Sequence, residues 1–504
     1  MSKTNLFQDW VQSLKRTPSK SSRSRDDLSL SYKPYEIDFS MHVELRKKLV
    51  DRMNNLPQEK RHANAAVLLD GGSELPKYCT DTTHCNFRQE SFFQYLFGAR
   101  EPDCSGAIDL STGESILFVP RLSSEWELWC GKAPTLDYLK SHYQVDHVHY
   151  QDEKLEVLQK RGIVHLHVLY GLNTDSGLYT VTTAKFDGIE AFTVHKDILH
   201  PELVECRLIK TERELDLLRW INTISSEAHV QVMRTLKPGM MEFQAESQFL
   251  YYCYMIGGAR FHAYTCICGS GHNASALHYG HAGAPNDKVL KDGDLILNDM
   301  GCELHCYASD ITCTFPVNGK FTKDQIFIYE AVLKSHDAVI AAMKPGVEWK
   351  DLHILSLRVL GEELLKGGLL VGDIEDLMRH HVPAYFYPHG LGHLLGLDVH
   401  DVGGYTDGKT RTPTKSLCKL RCDRALEKNM VLTVEPGCYF IDAQLDDLLA
   451  NPEASQFVSK DVLARFRGFG GVRIESDVIV VEDGAENMTK VPRTVADIEQ
   501  CISA

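Results

Sequence analysis

The sequence predicts an α/β N-terminal domain followed by an α+β catalytic domain built by internal duplication. Three observations carry that prediction. Strand-like apolar runs alternate with helical patterns up to about residue 205. Beyond that point a helix, a Lys-Pro-Gly break and a second helix occur twice, at Lys237-Pro238-Gly239 and at Lys344-Pro345-Gly346, each time ahead of a strand-rich segment. Acidic residues stand inside apolar strands in both of those segments.

Composition narrows the class before any motif is read. The chain has 504 residues, with 43% hydrophobic and 24% charged content, as expected for a globular protein of one to three domains. A formal net charge of −15 argues against a general nucleic-acid binder, although a local basic patch is compatible with it, so no nucleic-acid partner is expected. The 15 cysteines include no Cys-x-x-Cys pair. Cys266/Cys268, Cys302/Cys306 and Cys418/Cys422 match no zinc-finger spacing, so buried free thiols in a reducing compartment are expected. The sequons at Asn273 and Asn487 carry meaning only in a secreted chain. No apolar run approaches the roughly 20 residues of a membrane span, so no membrane partner is expected. The N-terminus lacks a signal-peptide core, which favours a cytoplasmic protein. Residues 10–25 are rich in Ser and Arg and poor in acids, as transit peptides are, so organellar import is the alternative.

Residues 1–35 read as a flexible extension, because Thr17 to Arg25 offers almost nothing to bury. The N-terminal domain, residues 36–205, begins with a helix over Met41–Asn55 that Pro57 ends. A strand over Ala65–Leu69, a helix over Gln89–Phe97, strands at Gly106–Leu110 and Glu114–Val119, helices near Leu136–His142 and Glu153–Arg161, and a strand at Ile163–Leu169 follow. The catalytic domain, residues 206–504, opens at Thr211, whose Glu214 three residues on makes a capping box. Helices are predicted from there to Leu236, over Glu242–Tyr254, over Lys323–Met343 and over Trp349–Leu365, with strands in 294–315, 430–440 and 471–481. A site between the two halves of such a duplication draws its ligands from both.

The segment Asp294–Thr312 reads as two strands around a Met300-Gly301-Cys302-Glu303 break. A hairpin centred near residues 304–305 would set Asp299 opposite Asp310, Cβ atoms about 5 Å apart, where like charges repel unless a cation lies between them. The second half adds His389 and His393, in a Pro- and Gly-containing stretch that reads as a turn rather than a zinc helix, and then His400. Glu435 ends the apolar run Val431–Val434, and Glu475 lies in the apolar run Gly471–Val480. Taken singly, each of these is most simply a solvated carboxylate or a satisfied histidine. Taken together, Asp299, Asp310, Glu435 and Glu475 would be four buried carboxylates at several kcal/mol each. Two divalent cations match their charge, and His393 adds a neutral nitrogen. That donor set suits Mn²⁺, Co²⁺, Fe²⁺ or Zn²⁺ and excludes a thiolate site. Two such ions would hold a bridging water and make it hydroxide near neutral pH.

The order Asp299, Asp310, His393, Glu435, Glu475 resembles the five-ligand set of the pita-bread metallopeptidases, the creatinase/methionine aminopeptidase superfamily. The segments from Phe87, from His278 to Asp287, from Pro388 to Tyr405 and from Arg465 to Asp477 resemble the eukaryotic prolidases, the Xaa-Pro dipeptidases, over residue 40 to the end. The resemblance implies hydrolysis of dipeptides ending in proline or hydroxyproline, with two divalent ions per subunit, Mn²⁺ first among them. It implies that Asp299 binds one metal and His393 with Glu435 the other, that Asp310 and Glu475 bridge them, and that Glu435 shuttles a proton. It further implies that His278 and His400 orient the substrate and stabilise its oxyanion, that Arg421 pairs with the proline carboxylate, and that Tyr264 and Arg473 line and support the site. A surface salt bridge is the equal alternative for Arg421. The resemblance also implies a homodimer in which Trp129 reaches into the partner's site, against simple core packing. Asn298, where an aromatic is usual, and Cys302, where a second glycine is expected, depart from the pattern without removing a ligand.

Overall fold

The structure is a computed structural model that describes residues 35–83, 86–280, 286–405 and 408–504. The Ser/Arg-rich extension therefore lies outside the described residues, as do residues 281–285 of the segment that begins at His278.

The first part of the chain builds one six-stranded sheet. Its strands are β1 (Ala65–Asp70), β2 (Ser105–Asp109), β3 (Ser115–Val119), β4 (His147–Tyr150), β5 (His165–Val168) and β6 (Thr193–His195), ordered β4-β3-β2-β1-β5-β6. β1, β2 and β3 pair antiparallel, and the remaining neighbours pair parallel. The two edge strands were not predicted. β4 reads His-Val-His-Tyr, is half-buried throughout and shows no apolar alternation, since an edge strand needs backbone pairing more than a buried face. On one face Ala66, Leu68, Leu166 and Val168 pack with Leu158 of helix Lys154–Lys160. On the other, Val67, Leu69 and Leu117 pack with helices Ser40–Asn54 and Ser91–Phe97, and that core continues into Leu395, Leu397 and Val431 of the second part. Helix Leu199–Leu208, also unpredicted, joins the two parts and packs on Ser40–Asn54, so the expected boundary at 205/206 falls inside it.

The second part carries the duplication. Thr211 caps helix Glu212–Thr235: its hydroxyl accepts from the Glu214 N–H while Glu214 accepts from the Thr211 N–H. The helix pairs Glu212–Thr235/Glu242–Gly257 and Lys323–Ala342/Trp349–Lys366 turn at Gly239 and Gly346, both left-handed, with φ 92° and 86°. The backbone repeats as well. The Gly239 N–H donates to Leu290 O and the Leu290 N–H to Met240 O, each at 2.8 Å. The Gly346 N–H donates to Leu426 O and the Leu426 N–H to Val347 O, again at 2.8 Å.

The first half holds β7 (Phe261–His262), β8 (Ile267–Ser270), β9 (Leu295–Asp299), β10 (Cys302–Leu304), β11 (Tyr307–Ala308) and β12 (Thr312–Pro316), in sheets β12-β9-β8 and β11-β10-β7. The second half holds β13 (Val431–Val434), β14 (Gly437–Tyr439), β15 (Gly471–Arg473), β16 (Ser476–Val481) and β17 (Gly484–Asn487), in sheets β13-β16-β17 and β14-β15. The interval from Leu290 to Leu426 also separates the start of β9 from the start of β13, and Asp299 from Glu435. Asp299 and Glu435 thus close equivalent strands. The halves meet where Thr314 Oγ1 donates to Arg473 O at 2.9 Å and the Glu475 N–H donates to Thr312 O at 3.2 Å.

Candidate active site

The hairpin that carries the first two acids turns one residue later than the sequence suggests. His305 and Cys306 are both left-handed, φ 53° and 66°, as the two central residues of a type I′ turn are. Leu304 then pairs with Tyr307 and Asp299 with Thr312, not with Asp310. The I′ turn usually announces itself as Asn-Gly or Asp-Gly, and His-Cys carries no such signal. Asp310 lies in the irregular stretch between β11 and β12, where its N–H donates to Asp477 Oδ2 at 2.9 Å. The Met300-Gly301 stretch is a pinch rather than the turn: a Cβ on Gly301 would lie 1.8 Å from Ser309 O, so only glycine fits.

Asp299, Asp310, His393 and Glu475 are buried, and Glu435 is half-buried. Donor atoms of Asp310, His393 and Glu475 lie within 4.8 Å of one another. His393 Nε2 is 3.3 Å from Asp310 Oδ2 and 3.4 Å from Glu435 Oε1. His393 sits in irregular backbone, as its glycines predict, with its own N–H donating to Thr433 Oγ1 at 3.1 Å. Asp299 is held at both oxygens: the Tyr264 hydroxyl donates to Oδ1 at 2.6 Å and Arg473 Nη2 to Oδ2 at 2.5 Å. The Thr312 hydroxyl donates to Glu475 Oε2 at 2.6 Å and accepts from Arg473 Nε at 3.0 Å. Arg473 Nη1 also donates to the Tyr439 hydroxyl at 2.9 Å, whose oxygen lies 2.9 Å from His389 Nε2.

Electrostatics mark these acids as cation ligands. Burial and the nearby Asp299 push Asp310 well above the usual carboxylate range, and burial with Asp310 does the same to Glu475. Burial raises Glu435 against the pull of His393. Carboxylates facing one another out of water are stable together only when protonated or when sharing a cation. Four carboxylates and one imidazole therefore fit divalent metal. Burial and the adjacent His393 depress His400 to about 2, so it is neutral, with its ring 4.4 Å from that of His393 and nearly perpendicular to it.

All four acids and the histidine of the set face one cavity of about 520 Å³, which Tyr264, His278, His400, Arg421 and Arg473 also line. Asp175, Arg411 and Lys419, which the sequence did not single out, line it as well, and so does His389, read from the sequence only as a turn histidine. Arg411 and Lys419 could have been suspected from the basic stretch they share with Arg421. Asp175 could not, because it comes from a loop of the N-terminal part. Its carboxylate accepts from Arg411 at 2.5 Å and stands 3.4 Å from the Arg421 guanidinium, so Arg421 both lines the cavity and makes an ion pair. Trp129 lies outside the cavity on helix Ser124–Cys130 and is 78% exposed, which excludes core packing within the subunit. Asn298 is fully buried with neither amide atom partnered among the described residues, and Cys302 Sγ lies 3.0 Å from Ser225 Oγ.

Fold and site together define a metal-dependent hydrolase of the pita-bread class. Metallopeptidase family M24 matches residues 216–482, and the aminopeptidase P N-terminal domain matches residues 42–166. The chain belongs to metallopeptidase family M24. It is 52% identical to the Xaa-Pro dipeptidase of Rattus norvegicus over 95% of this chain and 96% of the relative. The solved aminopeptidase PepP of Pseudomonas aeruginosa superposes with a TM-score of 0.75 at 33% identity, over 93% of this chain and 98% of that one. Zinc-substituted Escherichia coli aminopeptidase P in complex with product superposes at 0.74 with 30% identity, over 93% and 99%.

Proposed function

We propose that this chain is an Xaa-Pro dipeptidase, a metallo-exopeptidase that hydrolyses dipeptides ending in proline or hydroxyproline. The observation that carries the proposal is the cavity itself. The acid and histidine cluster and the basic side chains Arg411, Lys419 and Arg421 all line it. A dipeptide is read by its two charged ends, and an arginine receives a carboxylate through two parallel hydrogen bonds.

Two divalent ions, Mn²⁺ by preference, would be held by Asp299 on one side and His393 with Glu435 on the other, with Asp310 and Glu475 shared. When bound, such ions supply Lewis acidity and lower the pKa of water. The chain's own residues do the rest. Arg473 and Tyr264 fix the Asp299 carboxylate. Arg421 receives the proline carboxylate and sets the substrate's register. His278 and the neutral His400 donate to the carbonyl oxygen as it gains charge. Glu435 carries a proton to the proline nitrogen, which has no hydrogen of its own while in the amide and must gain one to leave.

The rival activity is that of an Xaa-Pro aminopeptidase, the kind of enzyme named by the structural relatives. It would tolerate chain beyond the proline; a site that pins the proline carboxylate would not. Hydrolysis of Gly-Pro against Gly-Pro-Gly after Mn²⁺ loading decides between them: cleavage of Gly-Pro alone is expected, and equal cleavage of both overturns the dipeptidase.

The active form is proposed to be a homodimer, with the exposed Trp129 and Leu128 reaching across to the partner. A monomer in sedimentation at micromolar concentration would exclude it. A cytoplasmic location is proposed from the free state of the described cysteines. Among the described residues no helix is long and apolar enough to cross a membrane.

A further inference from the structure

Outside the catalytic cavity, the β5–β6 edge of the N-terminal sheet gathers four histidines. β5 contributes His165 and His167, two apart and so on one face. β6 pairs with β5 in register, His167 against His195. His62 comes from the segment just ahead of β1, and its ring stacks on that of His195 with centroids 3.8 Å apart. The His165 and His167 rings lie 4.8 and 5.3 Å from His62. His165 Nδ1 is 3.0 Å from His195 Nε2. One nitrogen each from His62, His165 and His195 falls within 4.8 Å of the others.

A stack of neutral, hydrogen-bonded rings would explain proximity alone. It does not explain the nitrogens left over. His62 Nδ1 and His167 Nδ1 are both buried without a partner among the described residues, and His167 is only 1% exposed. A buried imidazole nitrogen without a partner costs free energy that a metal bond would recover.

We propose that His62, His165 and His195, with His167 behind them, form a second metal site. Its all-imidazole character selects Zn²⁺, Cu²⁺ or Ni²⁺ over the harder Mn²⁺, unlike the carboxylate-rich catalytic centre. Three imidazoles at about 2.0–2.1 Å leave a fourth position open. The bound ion ties the segment before β1 to the short edge strand β6.

The test uses the full-length enzyme loaded with Mn²⁺ and freed of excess metal. It is titrated with Zn²⁺ by calorimetry and with Cu²⁺ by electron paramagnetic resonance, while released Mn²⁺ is followed by water-proton relaxation. One further equivalent should bind without Mn²⁺ release, show nitrogen hyperfine structure with Cu²⁺ and raise the melting temperature. In His62→Gln and His195→Gln its affinity should fall at least about 100-fold, with Gly-Pro hydrolysis unchanged. His62 lies outside the strands, so its replacement keeps the sheet. The proposal is overturned if no further equivalent binds, if binding survives both substitutions, or if every ion bound displaces one Mn²⁺.

Discussion

Arg473 Nη2 donates to Asp299 Oδ2 at 2.5 Å, so a strand of one half of the duplication orients the carboxylate that ends a strand of the other. The same guanidinium donates to Thr312 and Tyr439, and its charge is held against burial by Tyr439 and Asp299. Arg473→Gln removes that clamp without removing a ligand. Mn²⁺ affinity and kcat/KM on Gly-Pro should each fall about 10- to 100-fold, as for other groups that orient ligands. Wild-type affinity in the variant would refute the orienting role.

Asp299→Asn keeps the shape of the side chain but removes a negative charge from the cluster. Hydrolysis of Gly-Pro should be abolished while the circular-dichroism spectrum and melting profile stay those of the folded enzyme. A fully active Asp299→Asn protein would sink the assignment of the centre.

Arg421→Ala should raise KM for dipeptides about 10-fold or more and let Gly-Pro-Gly be cleaved, since the carboxylate anchor is gone. Asp175 competes for the same guanidinium. Asp175→Asn should therefore lower KM with kcat little changed. Unaltered length selectivity in Arg421→Ala would assign that side chain to the ion pair alone.

Stability should fall in mild acid for a reason outside the site. Burial depresses both His42 and His353 to about 4, and each bonds a backbone carbonyl, that of Tyr95 or Ser416. A histidine whose folded pKa is depressed binds its proton more readily in the unfolded chain. Its contribution is thus complete above the ordinary value near 6.5 and is lost as pH falls toward 4. Each should steepen the loss by about 1.4 kcal/mol per pH unit in that window. Denaturation followed from pH 7 to pH 4 checks this, and His353→Gln should flatten the slope; an unchanged slope would count against it.

Asn298 is the last case. Its amide is buried between Cys268 and Cys313 on the neighbouring strands, with no partner among the described residues. Asn298→Val should raise unfolding free energy by about 1–3 kcal/mol, read from the urea midpoint, with activity kept. A destabilised variant would show that the amide is satisfied in solution.

The sequence by itself determined the parts whose signals are local. The Thr211–Glu214 cap, the two Lys-Pro-Gly turns and the apolar runs that end at Asp299 and Glu435 are each written within a few residues, and each stands in the structure where it was expected. Even the need for a cation was legible, because carboxylates in apolar strands repel wherever those strands lie. Tertiary structure alone decided what depends on distant partners. The register of the hairpin rests on left-handed His305 and Cys306, residues with no intrinsic preference for that turn. The edge strands β4 and β6 exist because neighbours offer them a backbone ladder. Asp175 meets Arg421, and His62 meets His195, across loops of separate segments. Short-range preferences span a few residues, whereas these contacts are made only once both halves and the N-terminal sheet have packed.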